Sequence, residues 1–458
     1  MNSLLNRSSI VMQGLLLGLC CTCACGYVAG NNGWHLRSPF QMKANADLVC
    51  KVRIDRVRDV GISTSTLFPG APEVRRRVAQ AQVISVVEGD CPTSIEIEYD
   101  FPLGDSPLWS EPVSNLYTQL TEGEVCLVFL DRSKGPYHLG RLSSKARVVP
   151  TRVPYTLGDE PLLRLLAEFL AGLTCEDEMV RLQAVEELGW IGDELMKQIG
   201  PVDLRGEPSR STADALKLAQ RAIRTSRQSP DVVIRATAII SSFQLADPPT
   251  LEEALSILLA DPNSLGPDDS RAKYGIRDFS VAQMQGRLLE TMDTTTRRAI
   301  KDLDTGSTVR GPDDHPLYRG VPGFPYASFF RIALSTEVVA QSEPMRRAIA
   351  NVIWIRYERA SVPEMIRLLD DPESSIRRTG VSALNKCINR NLSNEWDRQT
   401  FYESGPSDRK PLDQRSQDYV ANEEEYIQYW KAWWAEHARE FDHVHTDMAA
   451  TNSPDSES

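Results

Sequence analysis

Histidine is scarce in this chain, with six residues in 458, and the scarcity narrows acid–base and metal chemistry before any pattern is sought. Cysteine is uneven: of nine, Cys20, Cys21, Cys23 and Cys25 crowd the N-terminus, while Cys50, Cys91, Cys126, Cys175 and Cys387 are scattered over the rest. Five dispersed cysteines are too few for a disulfide scaffold, and no Cys-x-x-Cys follows residue 25, which removes the usual cysteine zinc sites and thioredoxin-like motifs. There is no Gly-rich phosphate loop and no Gly-x-Ser-x-Gly nucleophile turn. Basic blocks are missing as well. With 51 Lys+Arg against 63 Asp+Glu and a net charge of −12, the chain lacks the electrostatic footprint that a phosphate backbone requires, so nucleic acid is excluded as a partner. What is present is ordinary globular material, 41% hydrophobic and 25% charged, which excludes long disorder and a multi-span membrane protein. Its length allows roughly two or three domains.

Residues 1–25 read as an export leader. Polar Asn2, Asn6 and Arg7 precede an apolar run through Leu15, Leu16, Leu17 and Leu19, which ends in small residues and cysteines. The run is shorter than the ~20 residues of a comfortable spanning helix. Three fates stay open: ordinary cleavage near Ala24, acylation of Cys25 after cleavage, since this stretch resembles a bacterial lipoprotein signal, and retention as a membrane anchor. The address that follows is exported: periplasmic, anchored at the cell envelope, or extracellular. Membrane association is expected only through such a lipid anchor or an uncleaved leader.

Residues 44–152 carry a strand period. Leu48, Cys50, Val52 and Ile54 alternate with Lys51, Arg53 and Asp55, and similar runs recur near 79–87, 95–99, 124–130 and 137–142. Gly89-Asp90, Gly123 and Gly135-Pro136 punctuate them as turns. About five strands in so short a stretch predict a small closed β-barrel, because open edges pair with strangers. Cys50 and Cys126 each fall mid-strand, so they form a disulfide candidate if their strands are neighbours. The run "ADLVCKVRIDRV … AQVISVVEGDCPTSIEIEYD … EGEVCLVFLDR" resembles netrin-like and tissue-inhibitor-like modules of the OB kind. That resemblance implies a protease-inhibitor-like or ligand-binding domain, a reading that an exposed rim around Trp109 in the 103–112 loop would favour.

From residue 156 to 390 the period becomes helical. An apolar residue followed by Arg recurs at Val180-Arg181, Ile234-Arg235, Met345-Arg346 and Ile376-Arg377, with Asp177, Asp231 and Glu373 ahead of three of them. Small or apolar Ala184, Ala238, Ile349 and Gly380 follow at one fixed offset, which lets helices pack closely. Acid–base pairs repeated at one position are structural, so Asp177, Arg181, Asp231, Arg235, Glu373 and Arg377 form a ladder in which the acid suits the helix dipole and meets the Arg of an adjacent repeat. The segments "EDEMVRLQAVEELGWIGD" and "PEMIRLLDDPESSIRRTGVSALNKC" resemble HEAT repeats of the bacterial type. That resemblance implies an irregular α-solenoid, interrupted by a Gly- and Pro-rich loop near 303–326 and followed by a polar surface insertion at 391–418. Some HEAT-like enzymes hold two irons through His-Glu pairs; no His-Glu dipeptide occurs here. Nor does anything mark the chromophore site of the phycobilin lyases.

Residues 419–445 place Tyr426, Tyr429, Trp430, Trp433 and Trp434 on one helical stripe, a Trp-rich helix that caps the last repeat, and 446–458 form a solvated tail. The densest ligand cluster is Glu436, His437, Asp442, His443, His445 and Asp447. His437, His443 and His445 are the weak metal candidates, at a helix end with no second shell to fix them. Asp313, Asp314 and His315 sit together on the Pro-rich loop with no nucleophile beside them. The resulting expectation is a multidomain β + α protein, a small OB-like β-barrel followed by a HEAT-like solenoid. It is expected to be non-enzymatic, with no cofactor, and to bind a protein partner through the solenoid. Two alternatives remain: the barrel as the binding module with the solenoid as spacer, and a metal-dependent enzyme built on the His-rich C-terminus.

Overall fold

A computed structural model describes residues 46–64, 73–102, 119–131, 137–139, 145–198, 210–260, 281–296, 321, 323–392 and 419–441. The leader with Cys25, the Trp109 loop, His315, most of the 303–326 loop, 393–418 and the tail lie outside them. The chain divides between Arg152 and Val153 into two compact units.

The first unit is a six-stranded sheet: β1 (Leu48–Thr64), β2 (Glu73–Glu88), β3 (Ser94–Pro102), β4 (Val125–Asp131), β5 (Tyr137–Leu139) and β6 (Lys145–Arg147). β1 pairs antiparallel with β2 on one side and with β4 on the other. β2 pairs antiparallel with β3, β3 parallel with β5, and β5 antiparallel with β4, so the pairings lead back to β1. The alternating residues form the core as their period requires: Leu48, Cys50, Val52 and Ile54 are buried against Ile97, Val128 and Leu130. Lys51 breaks the pattern. It is fully buried on the opposite face, where its Nζ donates to the Thr151 carbonyl at 2.7 Å, so the end of this unit covers a face that alternation assigns to solvent.

The second unit is helical. Its elements are α1 (Pro161–Gly172), α2 (Glu178–Gln198), α3 (Arg210–Ser226), α4 (Val232–Gln244), α5 (Leu251–Leu258), α6 (Val281–Thr296), α7 (Tyr326–Ser335), α8 (Glu337–Gln341), α9 (Glu343–Arg356), α10 (Val362–Arg367), α11 (Ser374–Leu392) and α12 (Glu423–His437). Proline opens α1, α9 and α10, where its missing N–H is harmless, and Thr250 with Glu253 forms a capping box on α5. The stretch between 261 and 335, where the repeat pattern is faint, nonetheless contains α6 and α7.

Helices pack in two rows. One runs α2 on α4, α4 on α6, α6 on α9 and α9 on α11; α1, α8 and α10 each back one of its members, α3 backs α2 and α4, and α5 backs α4 and α6. Two repeat positions show why small residues recur. A Cβ on Gly172 of α1 would lie 2.9 Å from Ala184, and one on Gly380 would lie 3.1 Å from the Met365 carbonyl. α2 meets α4 equally closely at Gly192, where a Cβ would fall 2.2 Å from Leu245 Cδ2.

α4 ends in a Schellman turn. Ala246 N donates to Phe243 O at 3.2 Å and Asp247 N to Ser242 O at 3.0 Å, which puts Ala246 at φ 51°, the left-handed region that glycine occupies without a Cβ penalty. Ala246→Gly should therefore raise stability by about 1 kcal/mol, the Cβ penalty outweighing glycine's extra unfolded-state entropy. Urea unfolding checks this: the midpoint should rise at constant slope, and an unchanged or lower midpoint would refute it.

Candidate functional site

Four arginines occupy one position in the helical repeat and make one bond in common. The N–H of each bonds the carbonyl of the residue preceding its helix: Arg181 to Asp177 (3.1 Å), Arg235 to Asp231 (2.9 Å), Arg346 to Ser342 (3.0 Å) and Arg377 to Glu373 (3.1 Å). From there a helical side chain leans back toward the N-terminus. Nη1 of each accordingly donates to the carbonyl six residues upstream, at Cys175 (2.7 Å), Ser229 (2.7 Å), Ala340 (2.6 Å) and Asp371 (2.8 Å).

The acids do something else. Asp177 Oδ1 accepts from Met179 N at 2.8 Å, and Asp231 Oδ1 from Val233 N and Ile234 N at 2.9 and 3.0 Å, both capping their helices. At the last turn Asp371 takes this part, accepting from Glu373 N at 2.9 Å. Within a turn the Arg side chain thus donates to a carbonyl six residues upstream, while the Asp177 and Asp231 carboxylates accept from backbone amides. Ion pairs form between turns instead. Arg346 Nε reaches Asp371 Oδ2 at 2.7 Å, both largely buried, and Arg377 Nε reaches Glu423 Oε1 of α12 at 2.8 Å. Glu423 also accepts from Ser374 Oγ and Tyr419 Oη, and hydrogen bonding from Arg377 holds its carboxyl below the ordinary carboxylate range.

Arg181 has no such partner in the next turn. Its Nη1 is shared between Cys175 O and Glu176 O, and Nη2 lies 3.6 Å from Glu178 of its own helix. Between its turn and the next is a groove of about 510 Å³, with Leu173, Cys175 and Glu176 on one wall and Ser229, Pro230 and Asp231 on the other.

Glu187 on α2 is the outstanding buried acid. It is 2% exposed, Gln183 Nε2 donates to Oε1 at 2.6 Å, and Oε2 is buried with no hydrogen-bond partner among the described residues. Burial lifts its carboxyl to about 8, with the Gln183 bond pulling weakly the other way. Its neighbour Glu186 is an ordinary ion-pair partner, held by Arg287 Nη2 at 2.8 Å.

The strands of Cys50 and Cys126 are neighbours, but the residues remain thiols. Cys50 stands opposite Val128 and Cys126 opposite Val52, a diagonal offset of ~7–8 Å between Cα atoms, beyond the usual disulfide span. Burial pushes the Cys126 thiol up to about 12, away from thiolate chemistry. His437 stacks on Trp433 with ring centroids 4.6 Å apart, and its Nδ1 lies 2.8 Å from the Trp433 carbonyl. His443 and His445, the other metal candidates, lie outside the described residues, among which no group of three His, Cys, Asp or Glu is arranged to hold a metal ion. No helix among the described residues is long and apolar enough to cross a membrane.

Among the described residues the turns are the most chemically distinctive part, with carbonyls, guanidiniums and carboxylates held in fixed contacts. Ser229 and Glu187 were not candidates in the sequence. Aligning the repeats on their arginines would have exposed Ser229 as the counterpart of Asp371; nothing in the string Glu186-Glu187 separates the buried acid from the paired one. No protein-family model matches this chain, and no curated protein matches it.

Proposed function

We propose that this protein is an exported, non-enzymatic interaction scaffold that binds a protein partner along its helical unit. The observation that carries the reading is the row α2–α4–α6–α9–α11, in which each helix packs on the next and is backed by a helix of the second row. Helix pairs that touch only their neighbours make a HEAT-like α-solenoid, an architecture whose extended face suits macromolecular surfaces. The aromatic helix α12 packs on α10 and α11 with Tyr426, Ile427 and Trp430 buried, as an end cap does. The leader supports export.

The first unit supports a finer reading of its own. A circuit in the order β1-β2-β3-β5-β4 with β3 parallel to β5 fits a five-stranded OB-like barrel. The alternative, in which this module does the binding, is favoured by one observation: Val60 and Ile62 are exposed, 43% and 61%, on β1 beyond its pairing with β4.

Photo-cross-linking of the full chain in its native envelope separates the two. A cross-linker at exposed Gly286 of α6 or Asn351 of α9 should capture one discrete protein that a cross-linker at Ile62 does not. Capture from Ile62 alone would transfer recognition to the strand unit and overturn the solenoid reading.

A further inference from the structure

We propose that the groove between the α1–α2 turn and the α3–α4 turn is a carboxylate-binding slot, filled by an aspartate or glutamate side chain of an extended partner segment. Two turns of the molecule are built alike but differ in one side chain. Ser229 and Asp371 are equivalent twice over. Each offers its carbonyl to the Nη1 of the arginine six residues on, Arg235 at 2.7 Å and Arg377 at 2.8 Å. Each also accepts with its side chain the N–H two residues on, Asp231 N at 3.2 Å and Glu373 N at 2.9 Å.

Asp371 has a second oxygen, and it does a second thing. Oδ2 takes the Nε–H of Arg346 from the preceding turn, closing the space between the turns with a charge-assisted bond. A serine hydroxyl reaches no further than its own turn. Arg181 stands ahead of Ser229 and is anchored by Nη1 as Arg346 is, yet among the described residues its Nε has no hydrogen-bond partner and the space beyond it is the groove. The slot therefore has the donor edge of an ion pair and lacks the acceptor. A planar fork of N–H groups selects carboxylate geometry over a spherical anion.

The acids around the groove do not forbid this. Asp231 caps Val233 and Ile234, Glu178 lies 3.6 Å from Arg181 Nη2, and Glu176 also lines the groove; the closed rung likewise carries acids beside Asp371, with Asp370 held by Lys431 and Glu373 accepting from Ser375 Oγ. This inference rests on the partner-binding reading only for who presents the carboxylate; the slot itself is tested without any partner.

The test is NMR titration of the full chain with the blocked tripeptide acetyl-Ala-Asp-Ala-amide, read at the Arg181 Nε–H resonance. The wild type should show a saturable shift, and acetyl-Ala-Asn-Ala-amide should bind at least about tenfold more weakly, since the amide removes the charge assistance. Ser229→Asp should place the Nε–H resonance at its bound position without peptide and abolish the titration. An Arg181 resonance that peptide does not move overturns the slot, as does an unshifted resonance in a folded Ser229→Asp protein. Equal binding of the Asp and Asn peptides overturns its carboxylate selectivity. Acetate binding as tightly as the Asp peptide overturns the peptide as its occupant. A partner captured by cross-linking in a variant whose slot is filled would separate failure of this inference from failure of the scaffold reading.

Discussion

Replacing Glu187 with glutamine should stabilise the protein by a few kcal/mol at pH 8 and leave it nearly unchanged at pH 4.5. The folded carboxyl titrates near 8 and an unfolded one near its ordinary value of about 4.3. Between those values the native state holds a proton that the unfolded state has released, so unfolding stability falls as pH rises, by up to ~1.4 kcal/mol per unit. The contribution is fully present below the unfolded value and lost progressively toward pH 8. Glutamine keeps the shape and the contact with Gln183 while removing the titration. Urea unfolding of both proteins from pH 4.5 to 8.5 isolates the effect, because every other titrating group cancels in the difference. Parallel curves would mean that Glu187 is hydrated or paired in solution and would defeat the prediction. Acid effects from Glu423 run the opposite way: its lowered carboxyl stabilises above its unfolded value and the gain is lost as pH falls.

Trp430→Ala should cost about 3–5 kcal/mol, the range for removing a large aromatic from a packed interior. Trp430 is 1% exposed, meets Tyr429 and Trp433 edge to face, and lies on the helix that covers the last hairpin. Its neighbour Tyr429 is 40% exposed, and Tyr429→Ala should fall within about 0.5 kcal/mol of wild type. Since the indole Nε1 is buried without an acceptor among the described residues, Trp430→Phe should cost much less than alanine. Hydrogen exchange gives the location: protection should vanish first across 419–441 and then in α11. A uniform loss, or equal costs for Trp430 and Tyr429, would show that α12 is not a separately docked cap.

Much of this architecture was legible because both periods are strong. The alternation of Leu48, Cys50, Val52 and Ile54 and the recurrent apolar-Arg pairs lie within single elements, where neighbours in sequence decide the pattern. What escaped depends on distant chain. Lys51 looks solvent-facing until Thr151 arrives a hundred residues later. Cys50 and Cys126 look like a pair until register offsets them by two residues. Asp177 and Arg181 look like partners at helical spacing, yet the arginine leans toward the N-terminus and the aspartate turns to its own amides. The groove beside Ser229 was invisible for the same reason: its meaning comes from comparing two turns in space, where one carries a second oxygen and the other does not.

The strand circuit has one short member. Among the described residues β5 spans Tyr137–Leu139 and joins β3 through Ile97 opposite Tyr137 and Glu98 opposite His138, whereas β1 and β2 pair along nearly their whole lengths. A ring breathes where its clasp is thinnest, so thermal opening should begin at that seam and not along the long antiparallel pair. When the clasp parts, β3 becomes a bare edge carrying Ile95, Ile97 and Tyr99, and an edge of that kind recruits any strand within reach. The three-residue strand β5 is then what covers this edge of β3.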